Sequence, residues 1–137
     1  MNLTFQEKSL WIQAIALTLL FGGYFLRVLP TDATSISNDM IVDLVGVVIG
    51  LTIIMIIGHI IAAATNTPEE LDERDRQIQL KASHLKSTLL ASGCVLTILL
   101  SLKVPGNFWS VHTLLIFLVV AELTEISLQL FYYRRGI

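Results

Sequence analysis

The chain has few charged residues, cysteines and prolines. Charged residues make up only 15% of its 137 residues, and it has one cysteine and three prolines. The single cysteine, Cys94, excludes an intrachain disulfide. Lys and Arg number nine against eleven Asp and Glu, and no basic patch predicts nucleic-acid binding. The chain also lacks a phosphate-binding Walker loop and a His-Glu-x-x-His motif.

Apolar residues are the component in excess. They account for 54% of the sequence, above the roughly 45–50% of soluble domains. A helix needs about 20 mostly apolar residues to cross the hydrocarbon core of a membrane, and four runs come close to or reach that length. We therefore predict an all-α fold, an integral membrane four-helix bundle forming one domain over 1–137, with spans at about 10–29, 41–64, 87–104 and 109–131.

The loops and the positive charges predict the topology. Pro30 lies in a Thr-, Asp-, Ser- and Asn-rich loop after the first span, and VPGN at 104–107 joins spans three and four, with Asn107 as the expected helix cap. Placing both termini and residues 65–86 on one side puts seven of the nine Lys and Arg residues there. Because positive residues favour the cytoplasmic side, we expect both termini in the cytoplasm.

The densest charge lies between spans two and three, in the run EELDERDRQIQLKASHLK. Thr67, Pro68 and Glu70 fit a capped helix start. We expect the third helix to begin at Pro68, to project into the cytoplasm over 68–86, and to continue unbroken into the membrane. Its acids come first, as the helix dipole favours, and Lys86 is expected near the anionic headgroups.

Three interpretations of this charged run stay open. A solvated helix extension with ion pairs between neighbouring turns explains most of the charges. A docking surface for a cytoplasmic protein is the second interpretation. A metal or catalytic carboxylate site is the third, although no His or Cys completes a ligand set within the acidic part. The candidate docking residues are Asp72, Glu73, Arg74, Asp75 and Arg76.

The same region resembles a known family. DERDRQIQLKA at 72–82, with FQEKS at 5–9, resembles a group of small bacterial inner-membrane proteins of unestablished function. Members of that group have four helices and an Asp-Glu-Arg-Asp signature ahead of the third. The resemblance implies a four-helix membrane fold in the bacterial inner membrane, and it carries no catalytic residue over to this chain.

Ionisable residues within membrane spans are costly and are functional candidates by default. Span four carries Glu122, Glu125 and Gln129 on one helical face, and span two carries His59 in the same cytoplasmic half. We expect a buried hydrogen-bond network or a water-filled vestibule there. A buried carboxyl would hold its proton unless a histidine paired with it, and His59–Glu125 is the predicted pair. The candidate intramembrane site comprises Gln13, His59, His84, Glu122, Glu125 and Gln129.

Two further features leave alternatives open. The glutamates could form a neutral structural pair, a proton- or ligand-linked site, or a metal site with His59 and His84; we predict no metal and no cofactor because no short-range ligand motif is present. Gly46 and Gly50, with Gly58 further along a similar face, let helices approach closely. We predict packing within the subunit for these glycines, with a homodimer seam as the alternative.

The sequence thus favours a non-enzymatic inner-membrane protein that acts as a sensor, adaptor or subunit through its charged cytoplasmic helix. The alternative is a small proton- or ion-coupled transporter or channel that uses Glu122 and Glu125 with His59. Expected partners are membrane lipids, a cytoplasmic protein and a second copy of the chain.

Overall fold

A computed structural model of the chain describes residues 5–65 and 72–135. This part is all-helical and contains no strand. Each of its four helices is long and apolar enough to cross a membrane, which confirms the predicted fold class at that level. The helices are α1 (Phe5–Val28), α2 (Asn38–Thr65), α3 (Glu73–Lys103) and α4 (Phe108–Arg135).

Large apolar side chains cover the outer surface of the helices. On α2, for example, Val42 is 69% exposed and Ile60 is 63% exposed. Soluble monomers rarely expose continuous apolar surface of this kind. The Thr52 hydroxyl on this helix is satisfied within α2, where it donates to the Val48 carbonyl at 2.8 Å. Such a surface fits a multi-pass membrane protein, because lipid offers no partner for a polar group.

The helix α3 begins at Glu73, later than the predicted start at Pro68. Asp72 has extended backbone, its carboxylate accepts the Glu73 N–H at 2.7 Å, and Asp75 accepts the Asp72 N–H at 3.3 Å. This capping box lies within the DERD run itself, and it makes the prediction of an unbroken helix from Pro68 wrong at Asp72. The predicted cap at 67–70 lies outside the described residues. At 31 residues, α3 is still about 46 Å long, against a hydrocarbon core of ~30 Å.

The helices lie in the spatial order α2–α1–α4–α3. The helix α1 packs on α2 and on α4, α3 packs on α4, and within the described residues α2 and α3 do not approach each other closely. Two apolar clusters join α1, α2 and α4, and neither includes a residue of α3. The bundle is therefore open, and α3 is held mainly by α4. The buried residues of the clusters are Leu17, Phe21, Tyr24, Val28, Phe108, Val119, Ile126 and Leu130.

The three glycines predicted to pack have different surroundings. A Cβ on Gly58 would lie 2.6 Å from Cγ2 of Ile12 on α1, and one on Gly50 would lie 3.9 Å from Leu20. A Cβ on Gly46 would meet no atom within 4 Å, so the packing role expected for Gly46 within the subunit is wrong. The homodimer alternative for this face stays a prediction.

The two loops contact each other at one end of the bundle, which we call the loop end. The Phe108 N–H donates to the Thr34 carbonyl at 3.3 Å, and the Asn107 side chain accepts the Ile36 N–H at 3.0 Å. Asn107 therefore binds the opposite loop with its side chain instead of capping α4. Gly106 has a φ of +83°, and a Cβ there would clash with the Thr34 carbonyl, so this turn requires glycine. The start of α1 and the end of α4 lie at the other end, the terminal end.

Candidate functional site

A lysine lies between two glutamates where α3 meets α4. The Lys86 Nζ is 2.6 Å from Oε1 of Glu122 and 2.7 Å from Oε2 of Glu125. The three side chains are mostly buried, with exposures of 27%, 26% and 17% in that order. The two glutamates are three residues apart and share a face of α4, so one ammonium group reaches both. We call these three residues the Lys86 triad.

The Lys86 triad lies well inside the apolar part of the protein. Glu122 is 13 residues after Trp109 and 10 before Tyr132, which is about 20 Å and 15 Å along the helix. Trp and Tyr favour the two membrane interfaces, so Glu122 falls near the centre of the span. The expectation that Lys86 lies near the headgroups stays a prediction. Its ammonium group is directed to α4, where two carboxylates are available as partners.

His59, the predicted partner of Glu125, has other partners. Its Nδ1 is 2.7 Å from the Met55 carbonyl oxygen, and its Nε2 is 2.9 Å from Oγ of Ser9. A carbonyl oxygen can only accept, so in the neutral ring Nδ1 carries the proton and the Ser9 hydroxyl donates to Nε2. The prediction of a His59–Glu125 pair is wrong. His59 instead joins α2 to α1.

The remaining predicted site residues lie apart from one another. Gln129 is half-buried and lies near Glu125, whereas Gln13 is half-buried on α1. His84 is exposed on α3. The sequence suggested that the polar faces of the four helices converge on one network. In the structure they do not. The structure brings Glu122, Glu125 and Gln129 together and adds Lys86.

A polar groove of about 510 Å³ runs between α3 and α4 beside the Lys86 triad. A second groove of about 500 Å³ lies on the opposite side of α4 and is lined mainly by apolar residues. The two sets of lining residues on α4 fall on opposite helical faces, so this helix separates a polar surface from an apolar one. The polar groove is lined by Arg76, Gln79, Leu80, Ser83, Glu125 and Gln129, and the apolar groove by Val120, Leu123, Thr124, Ser127, Leu128 and Phe131.

The predicted docking residues form the first turn of α3 and its cap. Asp72 and Asp75 cap the helix, and Asp75 also lies beside the Tyr133 hydroxyl of α4. Glu73, Arg74 and Arg76 are exposed, and Arg76 lines the polar groove. The two aspartates thus have structural roles, which leaves Glu73 and Arg74 as the outward-facing charges of this turn.

His112 is a buried residue whose environment the sequence did not reveal. It has no exposed surface, its Nδ1 is 2.7 Å from the Phe108 carbonyl oxygen, and its Nε2 is 3.1 Å from the Tyr24 hydroxyl. The Tyr24 and His112 rings stack with centroids 5.8 Å apart. In the sequence His112 lies three residues after Trp109, which by itself predicts an interfacial position. In the structure His112 shares a helical face with buried Val119, seven residues further along α4.

Lys86 likewise shares a helical face with buried Ala82, four residues before it, and with buried Gly93, seven residues after it. Its position three residues after Ser83 also matches the Ser-x-x-Lys spacing of a serine nucleophile with a lysine base. A general base needs a free lone pair, however, and the Lys86 Nζ instead donates to the two glutamate carboxylates. Lys86 in this arrangement does not supply a free amine.

Within residues 5–65 and 72–135, no group of three or more His, Cys, Asp or Glu side chains is arranged to hold a metal. Comparison with protein-family models gave no match, and comparisons with curated proteins and with solved structures gave none either. The resemblance carried by DERDRQIQLKA stays a prediction.

Proposed function

We propose that this chain is a non-enzymatic protein of the bacterial inner membrane in which the Lys86 triad is a proton- or cation-linked site. One ammonium group faces two carboxylates, so the fully ionised triad has a net charge of −1. An uncompensated charge in the low-dielectric interior costs several kcal/mol. Binding one proton or one small monovalent cation removes that charge. This charge imbalance is the observation that carries the proposal.

The packing of α3 supplies a way for the bound charge to affect the protein. Because α3 packs on α4 and lies outside the core of the other three helices, the Lys86 triad is a major polar connection between α3 and the rest of the bundle. When a proton neutralises one glutamate, Lys86 keeps one ionised partner instead of two. The α3–α4 interface therefore depends on the occupancy of the triad, as a sensor or a coupled transporter requires.

The orientation is part of the proposal. Both termini lie in the cytoplasm, because Lys and Arg concentrate at the terminal end. Arg134 lies 5.8 Å from the Trp11 ring there, a pairing suited to an interface. A Ser37→Cys variant in a Cys94→Ser background tests this orientation. Labelling by an impermeant thiol reagent from the side opposite the cytoplasm is expected, and labelling from the cytoplasmic side alone would overturn it.

Proton flux into liposomes tests the transport form of the proposal. The wild-type protein is expected to carry protons down an imposed gradient, and Glu122→Gln and Glu125→Gln should each abolish the flux. Glu73→Gln is the matched control, because Glu73 is an exposed glutamate at the cap of α3. Wild-type flux that survives both substitutions would contradict a role for the triad. A wild type that carries no ion would contradict transport and leave the sensor or adaptor form.

The exposed first turn of α3 supports an adaptor function as a second candidate. Glu73 and Arg74 point outward from a turn that Asp72 and Asp75 hold in place. Charge reversal should therefore be limited to Glu73→Lys and Arg74→Glu, which keep the capping box. Loss of a crosslinked cytoplasmic protein from this double variant is expected if α3 docks a partner, and an unchanged crosslink would contradict docking there.

A further inference from the structure

The polar groove extends from the terminal end of the molecule toward the Lys86 triad. Arg76 belongs to the first turns of α3, whereas Glu125 is a member of the triad, and both line the groove. Gly93 of α3 lies against Phe117 of α4, and the two helices are antiparallel. Ser83, ten residues before Gly93, is therefore level with Ser127, ten residues after Phe117. By the same count Arg76 is level with Arg134. The groove thus begins where the interfacial arginines lie and ends at an intramembrane carboxylate.

The lining of this groove does not suit lipid chains. Five of its six lining residues carry polar or charged side chains, which lipid tails cannot satisfy. Its volume of about 510 Å³ is large against the roughly 30 Å³ that one water molecule occupies in the liquid. On the loop side of the triad, the close contact of Gly93 with the Phe117 ring fills the α3–α4 interface. The groove is therefore closed toward the loop end and open only toward the terminal end.

We propose that the polar groove is a water-filled half-channel through which the Lys86 triad exchanges a hydrated proton or small cation with the compartment at the terminal end. This proposal rests on the proposed function and names its route and ligand class. The ligand is an ion that enters from water. It is not an amphiphile that enters from the bilayer. Glu125 is the least exposed of the three triad side chains and the one that also lines the groove, so it is the receiving group.

The two grooves on either side of α4 provide a matched experiment. Ser83 lines the polar groove and Ser127 lines the apolar groove at the same depth. Each is replaced by cysteine in a Cys94→Ser background and exposed in membrane vesicles to an impermeant, positively charged methanethiosulfonate. The thiolate is the reactive form and needs water, so Ser83→Cys should react about tenfold faster or more than Ser127→Cys. The reaction should occur from the terminal-end side.

Equal reaction rates at the two positions, or reaction of Ser83→Cys from the loop-end side only, would overturn the half-channel. Gln129→Cys gives an independent second position in the polar groove if Ser83→Cys does not insert, and it should react like Ser83→Cys. The outcome is separable from the proton-flux test. Fast labelling without flux supports the groove and contradicts transport, whereas flux without labelling contradicts the groove alone.

Discussion

Removing the lysine of the triad is the perturbation with the largest expected effect on stability. Lys86→Met keeps an unbranched side chain of similar reach but leaves Glu122 and Glu125 facing each other without a cation. Hydrogen bonds to charged groups contribute about 1.5–3 kcal/mol each. The three side chains are 17–27% exposed, and solvent screening reduces this contribution. We expect the variant to lose roughly 2–4 kcal/mol of unfolding free energy.

The measurement is reversible unfolding in mixed micelles, followed by loss of helical circular dichroism. Lys81→Met is the matched control, because Lys81 is an exposed lysine on the same helix, and its unfolding free energy should stay close to that of the wild type. The triple variant Lys86→Met/Glu122→Gln/Glu125→Gln should recover much of the loss, since it no longer contains uncompensated carboxylates. A Lys86→Met protein as stable as the wild type, or a triple variant no more stable than Lys86→Met, would show that Lys86 does not stabilise the fold by compensating the two carboxylates.

Two further substitutions test how the helices are joined. Gly93→Ala pushes a methyl group into the Phe117 ring and should destabilise the protein by about 1–3 kcal/mol in the same unfolding assay. Gly22→Ala is the control, because a Cβ there meets nothing within 4 Å, and it should not destabilise the protein. Equal effects of the two substitutions would contradict the tight α3–α4 contact. His112→Phe leaves the buried Tyr24 hydroxyl without its partner and should cost about 1–3 kcal/mol, and adding Tyr24→Phe should restore part of that loss. A double variant less stable than His112→Phe would contradict this pairing.

The fold was largely predictable because membrane helices are encoded locally. Runs of about 20 apolar residues and the Pro-Gly turn at 105–106 predict four helices and their order. The start of α3 was not predictable, because Thr67–Glu70 and Asp72–Asp75 both fit a capping box in the same short stretch. Sequence pattern alone does not rank two such competing caps.

The candidate site was predictable in part. Helical periodicity brings Glu122 and Glu125 to one face of α4, but it does not say which neighbouring helix covers that face. The structure places α3 there, with α2 on the far side of α1, so Lys86 meets the glutamates and His59 does not. A long charged side chain near the end of a span predicts an interfacial residue, so the sequence did not indicate Lys86 as a partner of the two glutamates.

Carbon-13 NMR of the glutamate carboxyls in lipid bilayers across a range of pH tests directly whether the Lys86 triad is a single proton-linked site. The chain has six glutamates, and the Glu122→Gln and Glu125→Gln variants assign the two triad signals. If these residues form one proton-linked site, replacing either one changes how the carboxyl signal of the other responds to pH. The signal of Glu73 should be unaffected by either replacement. Carboxyl signals of Glu122 and Glu125 whose response to pH is unchanged by replacing the other glutamate and by Lys86→Met would contradict a single proton-linked site.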